Sequence, residues 1–436
     1  MSYQNSKCHV AIITYHMIPY TKMWGASQRM YYLATNLKDN QYDVSVLHAS
    51  FGLNTSEKKI NFDTKKVLIK PNFIQRLQNR MQSTKNVHSK SPKKENIIRG
   101  LTKRIHHTFE RIFFNDFNYI GAIIYFWNKQ AWVSLKKIFN EKNTKVVILS
   151  GPYFTTFSLI DKIKKNYPNI KIIIDYRDPW NLLNKGSKHT IKKEQRYLDI
   201  ADNIVFFSEM FKKKMCEKFV INEKKCLTVY NGYDQDLWEQ IKSEKVDNKL
   251  IISYVGSHIT FEDSDYRNPA VLINSVIKFK NSPDIILNFV GCHDRPKNIK
   301  ELLKTGVEIN FKPVLPHREA LEYMKKSDVL VILTTDEYPS LFTVTGKLFD
   351  CIMAGTYILG ISNNQKIDYI QIIEKLRIGF GCGNNEFEII KSLEIIHKKW
   401  INKELNNLKV EERFKFSRRY QNKKIISTIN KLVVSV

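Results

Sequence analysis

At 436 residues the chain is too long for one ordinary core, so two or three domains are expected. Hydrophobic residues at 43% and aromatics at 12% are enough to bury real cores, which excludes a disordered chain. The 70 lysines and arginines outnumber 43 acids, and the resulting net charge of +27 favours an anionic partner: nucleic acid, anionic lipid or a phosphorylated substrate.

The six cysteines, Cys8, Cys216, Cys226, Cys292, Cys351 and Cys382, show no C-x-x-C pair and no His/Cys ligand spacing. Neither a zinc site nor a disulfide framework is expected, and a reducing cytoplasm fits best. A polar start runs into the short stretch Val10 to Ile13 without the order of a signal peptide. The most membrane-like segment, Tyr119 to Leu135, is interrupted by Asn128, Lys129 and Gln130, so no spanning helix is expected.

In chain order, the apolar run Val10 to Tyr15, a turn with Pro19 and Gly25, a helical pattern from Ser27 to Leu37 and a strand at Val44 to Leu47 make a βαβ unit. Its loop lacks G-x-G-x-x-G, which argues against a nicotinamide or flavin cofactor. Gly25 at the head of the helix would let a substrate approach the backbone; a plain turn with an N-cap is the simpler alternative. Residues 65–111 are strongly basic, with interleaved apolar positions that permit amphipathic helices with cationic faces. Such helices lie on anionic membrane surfaces, although a solvated insertion has the same composition.

The βα rhythm resumes with strands at Val146 to Leu149, Ile170 to Ile174, Ile204 to Phe207 and Leu227 to Tyr230, and intervening helices at Thr155 to Asn166, Glu194 to Ala201 and Met210 to Lys218. Two loops follow strand ends, where ligands of open α/β sheets bind: one holds Ser150, the other Arg177 and Asp178. Asp178 before Pro179 is equally readable as a helix N-cap with proline at N1. A turn at Asn231 to Asp234 and a polar stretch up to Asn248 mark a domain boundary. Strand and helix then alternate from Leu250 to Leu333, helical pattern returns in Phe387 to Trp400, and Glu411 to Lys431 reads as a closing helix.

The organising stretch is Tyr338 to Gly360, read as a strand end, a small-residue loop and a helix. The first N–H groups of a helix have no internal partner and sit at its positive end, where they can receive a diphosphate. Thr343, Thr345 and Gly346 open that helix, Lys347 adds a cation, and Asp350 one turn on offers a carboxylate to sugar hydroxyls. The plain alternative is a Thr345 cap with Lys347 and Asp350 in solvent.

Taken in order, S-G-P-Y (Ser150 to Tyr153), D-Y-R-D-P-W (Asp175 to Trp180), A-D-N-I-V-F-F-S (Ala201 to Ser208), Y-N-G-Y-D (Tyr230 to Asp234), Y-V-G-S with R-N-P (Tyr254 to Ser257, Arg267 to Pro269), S-D-V-L-V-I-L (Ser327 to Leu333) and T-G-K-L-F-D (Thr345 to Asp350) carry a resemblance. The chain resembles GT-B nucleotide-sugar glycosyltransferases, specifically the retaining family 4 group that builds bacterial surface polysaccharides. The resemblance implies two Rossmann-like doubly wound α/β domains facing across a cleft: residues 1–236 on the acceptor side, with 65–111 as a basic insertion, residues 237–410 for the nucleotide sugar, and 411–436 as a closing helix.

It further implies metal-independent transfer of a sugar from a nucleotide diphosphate to a glycan or polyprenyl-linked acceptor, on the cytoplasmic face of the plasma membrane, with no cofactor. Thr343, Thr345, Gly346, Gly25 and Gly256 would meet the donor, with Asp350 near the ribose. Lys347 and Arg267 would neutralise the leaving group, and Asp178 would lie near the reacting centre with Ser150 and Arg177 on the acceptor side. The chain departs from the family's pattern in two places: Gly256-Ser257 stands where a Gly-Arg pair is usual, and Phe342 with Asp350 where two glutamates are. Asp263-x-Asp265 and Asp234-x-Asp236 have metal-like spacing, but no metal is expected. A nucleotide-sugar epimerase or hydrolase on the same fold is the enzymatic alternative. A nucleic-acid-binding protein is the non-enzymatic one, although the aromatics follow strand and helix patterns rather than the basic run and nucleic acid is not the expected partner.

Overall fold

The structure is a computed structural model and describes residues 7–21, 24–50, 60–68, 104–116, 120–182, 186–242, 248–259, 261, 268–292, 306–334, 342, 344–405 and 410–434. The chain divides into two compact units, residues 1–229 with 422–436, and residues 230–421. The division thus falls at 229/230, against the 236/237 of the sequence reading, and the terminal segment expected as one closing element is shared between the units.

The first unit holds seven parallel strands: β1 (His9–Thr14), β2 (Asp43–Ser50), β3 (Asp63–Leu68), β4 (Thr144–Gly151), β5 (Lys171–Tyr176), β6 (Asn203–Phe206) and β7 (Cys226–Thr228). They are ordered β3-β2-β1-β4-β5-β6-β7, so the direction of winding reverses between β1 and β4. Parallel strands need crossovers, and helices such as Trp24–Asp39 and Gly121–Glu141 supply them. Strands covered on both faces read as continuous apolar runs, as in Val146–Leu149 and Ile172–Ile174, all fully buried. The same core takes Ile425, Ile426 and Ile429 from the helix Arg418–Val434, which belongs to this unit from residue 422 on.

The second unit holds six parallel strands: β8 (Leu250–Ile259), β9 (Ile285–Cys292), β10 (Glu308–Lys312), β11 (Val329–Leu333), β12 (Tyr357–Ile361) and β13 (Gly379–Cys382), ordered β10-β9-β8-β11-β12-β13. Alternation sends Val329, Val331 and Leu333 into one layer and Leu330 and Ile332 into the other, where Leu348, Phe349 and Ile352 of the helix Gly346–Ala354 pack. That helix ends at Gly355, whose left-handed φ of 72° and the Arg413 guanidinium beside it leave no room for a side chain.

Four sequence expectations change. Lys65 and Lys66, read as the opening of the basic insertion, lie on β3; an edge strand is hydrogen-bonded on one side only and keeps its charges in water, which hides it from an apolar search. Residues 69–103 of that insertion lie outside the described residues. Asp178 does not cap a helix, because the backbone stays non-helical through Leu182 and the next helix, Lys188–Ile200, is capped by Ser187. The closing helix is two, Val410–Phe414 and Arg418–Val434, broken where Tyr233 exchanges backbone hydrogen bonds with Phe416 and Arg418. Strands β12 and β13 were not anticipated; they are short and contain Gly360, Gly379 and Gly381. Among the described residues, no helix is long and apolar enough to cross a membrane.

Candidate functional site

In a doubly wound sheet the crevice at the carboxyl ends of the strands, where the strand order reverses, is the ligand position, and each unit has one. In the second unit the reversal lies between β8 and β11. A pocket of about 320 Å³ opens there, lined by Val255 and Gly256 from β8, Val290 and Gly291 from β9, and Lys347 and Asp350 from the helix Gly346–Ala354. Val314, Leu315, Leu321 and Met324 complete an apolar wall.

Lys347 is the electrostatic centre of this pocket. Its Nζ stands 4.8 Å from the centre of the Tyr254 ring. It approaches β8 so closely that a Cβ on residue 256 would lie 2.3 Å from it, which is why glycine fits there. No acid pairs with it among the described residues, and burial lowers its pKa from 10.5 to about 8. A desolvated cation with no counter-charge among the described residues is stabilised by any anion that enters.

The helix start adds donors. Thr345 occupies the N-cap position, yet its side chain makes no capping hydrogen bond, and its buried Oγ1 has no partner among the described residues. The plain cap reading therefore fails at the atom that defines it, and the first N–H groups keep their positive end unsatisfied by that hydroxyl. Asp350 lies one turn further on: its Oδ1 accepts a hydrogen bond from Trp238 Nε1 at 3.3 Å, while Oδ2 is 3.9 Å from His317 Nε2. The indole fixes the carboxylate, and one oxygen still faces the pocket side occupied by His317. Phe342 is buried, so the family's first glutamate has no counterpart in charge at that position. Thr343 and Arg267 lie outside the described residues.

In the first unit the strand ends carry a different arrangement. Asp175, fully buried at the end of β5, receives Arg29 Nη2 at 2.8 Å, Arg29 Nε at 3.0 Å and Ser150 Oγ at 2.8 Å. Arg29 also donates to the Val229 carbonyl at 2.7 Å. Arg177 turns back onto the carbonyls of Gly151 and Pro152, at 3.2 and 2.6 Å. Ser150 Oγ is thus engaged within the protein, whereas Arg177 keeps Nη1 buried and without a hydrogen-bond partner among the described residues. Asp178 is not engaged: its carboxylate accepts no hydrogen bond among the described residues, and burial raises its pKa from 3.8 to about 6, against the nearby Arg177 charge.

The loop bearing Asp178 is anchored from beneath. Glu194, fully buried, accepts from the Tyr176 hydroxyl at 2.9 Å and from Asn181 Nδ2 at 2.8 Å, and burial raises its pKa to about 7. His16 follows β1; its Nδ1 meets Thr21 Oγ1 at 3.0 Å, its ring lies 5.6 Å from Tyr153, and burial lowers its pKa to about 4. It is a neutral imidazole at neutral pH. Gly25 lies in the first turn of the helix Trp24–Asp39, at the same strand ends. Sequence reading missed Arg29, His16 and Trp238. Arg29 sits within a helical pattern and its partner lies far along the chain, so only the basic residue amid the apolar repeat hinted at it.

The predicted residues therefore fall into two sets: Gly256, Thr345, Gly346, Lys347 and Asp350 come together in the second unit, and Gly25, Ser150, Arg177 and Asp178 belong to the first. Asp234 caps the short helix Gln235–Glu239 and Asp236 pairs with Arg419, which gives the nearer of the two metal-like pairs a structural use. Asp263 and Asp265 lie outside the described residues.

Comparison with known proteins places this architecture. No family model matches the chain, and no curated protein matches it in sequence. Among solved structures it is similar to a glycosyltransferase from Rickettsia africae, with a TM-score of 0.60 at 13% identity over 98% of this chain and 99% of that one. It is also similar to the catalytic domain of starch synthase IV from Arabidopsis thaliana bound to ADP and acarbose, with a TM-score of 0.58 at 10% identity over 98% and 99%. A third is UDP-GlcNAc 2-epimerase from Neisseria meningitidis bound to UDP-GlcNAc, with a TM-score of 0.54 at 13% identity over 97% and 100%. The fold is that of the GT-B glycosyltransferases, α/β with two doubly wound sheets. At these identities the likeness defines the fold and leaves the chemistry to the residues.

Proposed function

We propose that the protein is a retaining, metal-independent glycosyltransferase of the family 4 type. It moves a hexosyl group from a nucleotide-diphosphate donor to a glycan or polyprenyl-linked acceptor in bacterial surface polysaccharide synthesis, as a peripheral protein on the cytoplasmic membrane face. The observation that carries this reading is Lys347: a desolvated ammonium without an acidic partner among the described residues, beside an unsatisfied helix start and an apolar pocket. That combination suits a nucleoside diphosphate, with base and ribose against Val290, Val314 and Leu315, ribose hydroxyls toward Asp350, and phosphates at residues 345–347.

In the reaction, the bond between the anomeric carbon and the diphosphate oxygen breaks, and the electron pair leaves with the diphosphate. Lys347 and the helix N–H groups stabilise the charge that grows there, with Arg267 assigned to the same task. The acceptor oxygen forms the new bond to the anomeric carbon on the face that the diphosphate leaves, and its proton passes to the departing diphosphate oxygen. Asp178 orients the acceptor hydroxyl or steadies positive charge on the sugar, tasks suited to a carboxylate that accepts no other hydrogen bond.

Alanine at Lys347 is expected to abolish turnover of nucleotide sugars and to remove the rise in melting temperature that UDP-, GDP- or ADP-sugars give the wild type. Full activity of that variant would overturn the reading. The epimerase among the structural neighbours supports a second reading, in which the same pocket holds a nucleotide sugar without an acceptor. Consumption of the donor that depends on added acceptor favours transfer; consumption without any acceptor favours epimerisation or hydrolysis.

A further inference from the structure

The helix spanning residues 104–113 is built inside out. Its acid, Glu110, is fully buried and caps the next helix, accepting from Gly121 N at 2.9 Å and Ala122 N at 3.0 Å. Its apolar side chains face water: Ile105 is 62% exposed, Phe109 46%, Ile112 42% and Phe113 43%. Their spacing of four, three and one residues makes one stripe along the helix. Tyr125 and Phe126 of the helix Gly121–Glu141 add two more exposed rings. Alongside lies a groove of about 440 Å³, lined by Phe109, Phe113, Phe114, Tyr125 and Trp180 among others.

The charges around this apolar face are mostly positive. Arg104 and Arg111 are exposed on the helix itself. Lys129 Nζ sits 5.2 and 5.1 Å from the Tyr125 and Phe126 rings, and Lys193 Nζ 6.0 Å from Phe114. Lys162 also lines the groove. The one acid in the groove lining, Asp161, is engaged by Arg196 at 2.9 Å. A soluble helix normally turns its apolar stripe inward; here the inward face holds a carboxylate and the outward face holds phenylalanines ringed by cations.

We infer that this face docks on a bilayer surface with anionic headgroups. Ile105, Phe109, Ile112 and Phe113 enter the acyl boundary, while Arg104, Arg111, Lys129 and Lys193 reach the headgroup phosphates. The aromatic rings suit the interface between hydrocarbon and water, and long cationic side chains extend from an apolar base to that depth. The inference rests on the proposed function only for the membrane as partner; of the basic stretch 65–111 it singles out the helix that starts at residue 104, and it adds the rings and lysines of the elements beside it.

The test uses the full chain with vesicles of phosphatidylcholine alone and vesicles that also contain phosphatidylglycerol, without donor or acceptor. Wild-type protein should co-float with the anionic vesicles. Phe109→Ser with Phe113→Ser should weaken that binding at least about tenfold, and Arg104→Glu with Lys129→Glu should abolish the preference for anionic vesicles. The four substituted positions, Arg104, Phe109, Phe113 and Lys129, are exposed, and unchanged melting curves for both double variants verify the fold. Wild-type protein that ignores both vesicle types, or a Phe variant that binds like wild type, overturns the inference. So does a phenylalanine-dependent dimer in sedimentation velocity, or phenylalanine-dependent binding of RNA in place of vesicles. Loss of sugar transfer in the Lys347 variant leaves vesicle binding untouched, so the two readings fail separately.

Discussion

The two units share a winding order, yet they treat charge at the strand ends in opposite ways. In the first, Arg29 and Asp175 neutralise one another in full burial, with Ser150 and the Val229 carbonyl satisfying the remaining directions. In the second, Lys347 has a ring beneath it and a glycine beside it, but no carboxylate among the described residues. A closed pair holds the chain together and gives nothing to a ligand. An open cation costs folding energy in the empty protein and recovers it when an anion arrives. The difference separates residues that build the strand-end crevice from residues that use it: Ser150 falls on the building side, while Arg177 keeps one nitrogen, Nη1, without a partner among the described residues.

The largest effect should come from breaking the closed pair. Arg29→Met leaves the Asp175 carboxylate buried with only Ser150 as donor, and removal of one partner of a buried ion pair costs about 3 to 5 kcal/mol. Urea unfolding measures it. Arg29→Met combined with Asp175→Leu should recover part of that loss, because the carboxylate without its guanidinium is gone, while Arg177 keeps Asp178 as a nearby acid. A single variant that unfolds at the wild-type midpoint would mean that the pair is not the lock of the first unit.

How far the sequence revealed this contrast depends on the range over which each signal acts. Apolar runs such as Val329–Leu333 and a lysine at the start of a helix are local, so most strands, the helix at 346 and the presence of Lys347 and Asp350 on it were legible, whereas the short, glycine-containing β12 and β13 were not. The edge strand β3 was not, because a half-paired strand rich in lysine has the composition of a loop. Nor could local pattern tell that Ser150 is consumed by Asp175, or that Arg29 is 146 positions from its acid. The division of the closing segment was equally hidden: Tyr233 intercepts the backbone at Phe416 from far upstream, and helical periodicity carries no trace of that. Engagement, the property that separates the two strand ends, is a tertiary fact.

A middle-sized effect comes from Asp178, the one acid of the first set that is left open. Its folded pKa of about 6 exceeds the ordinary 3.8, so the folded state holds the proton more tightly than the unfolded chain does. The stability from this preference is complete below pH 3.8 and is lost as pH rises through 6. Asp178→Asn removes the loss. The variant should therefore be more stable than wild type by about 1 to 3 kcal/mol at about pH 7.5, because each tenfold difference in proton affinity between the folded and unfolded chain is worth about 1.4 kcal/mol, and equal to it near about pH 4. Melting curves at the two pH values check this. A difference that is the same at both would mean that the carboxylate is hydrated in the folded state.

The smallest stability change, and the one that sharpens the comparison most, is expected from Gly256→Ala. The added methyl would lie 2.3 Å from Lys347 Nζ and 3.0 Å from its Cε, and it meets only the far end of a flexible side chain. The amine can swing away and forfeit its place over Tyr254, an interaction worth about 2 kcal/mol at a desolvated site. Removal of the cation from its desolvated position also relieves part of the cost that lowers its pKa, so the two changes oppose and the melting temperature should scarcely move. Nucleotide-diphosphate affinity has no such compensation, because the cation no longer points at the phosphates; calorimetry should show a loss of about tenfold or more, or about 1.4 kcal/mol. A variant that melts early and binds normally would reverse the assignment: Lys347 would then belong to the fabric of the second unit, as Arg29 does to the first.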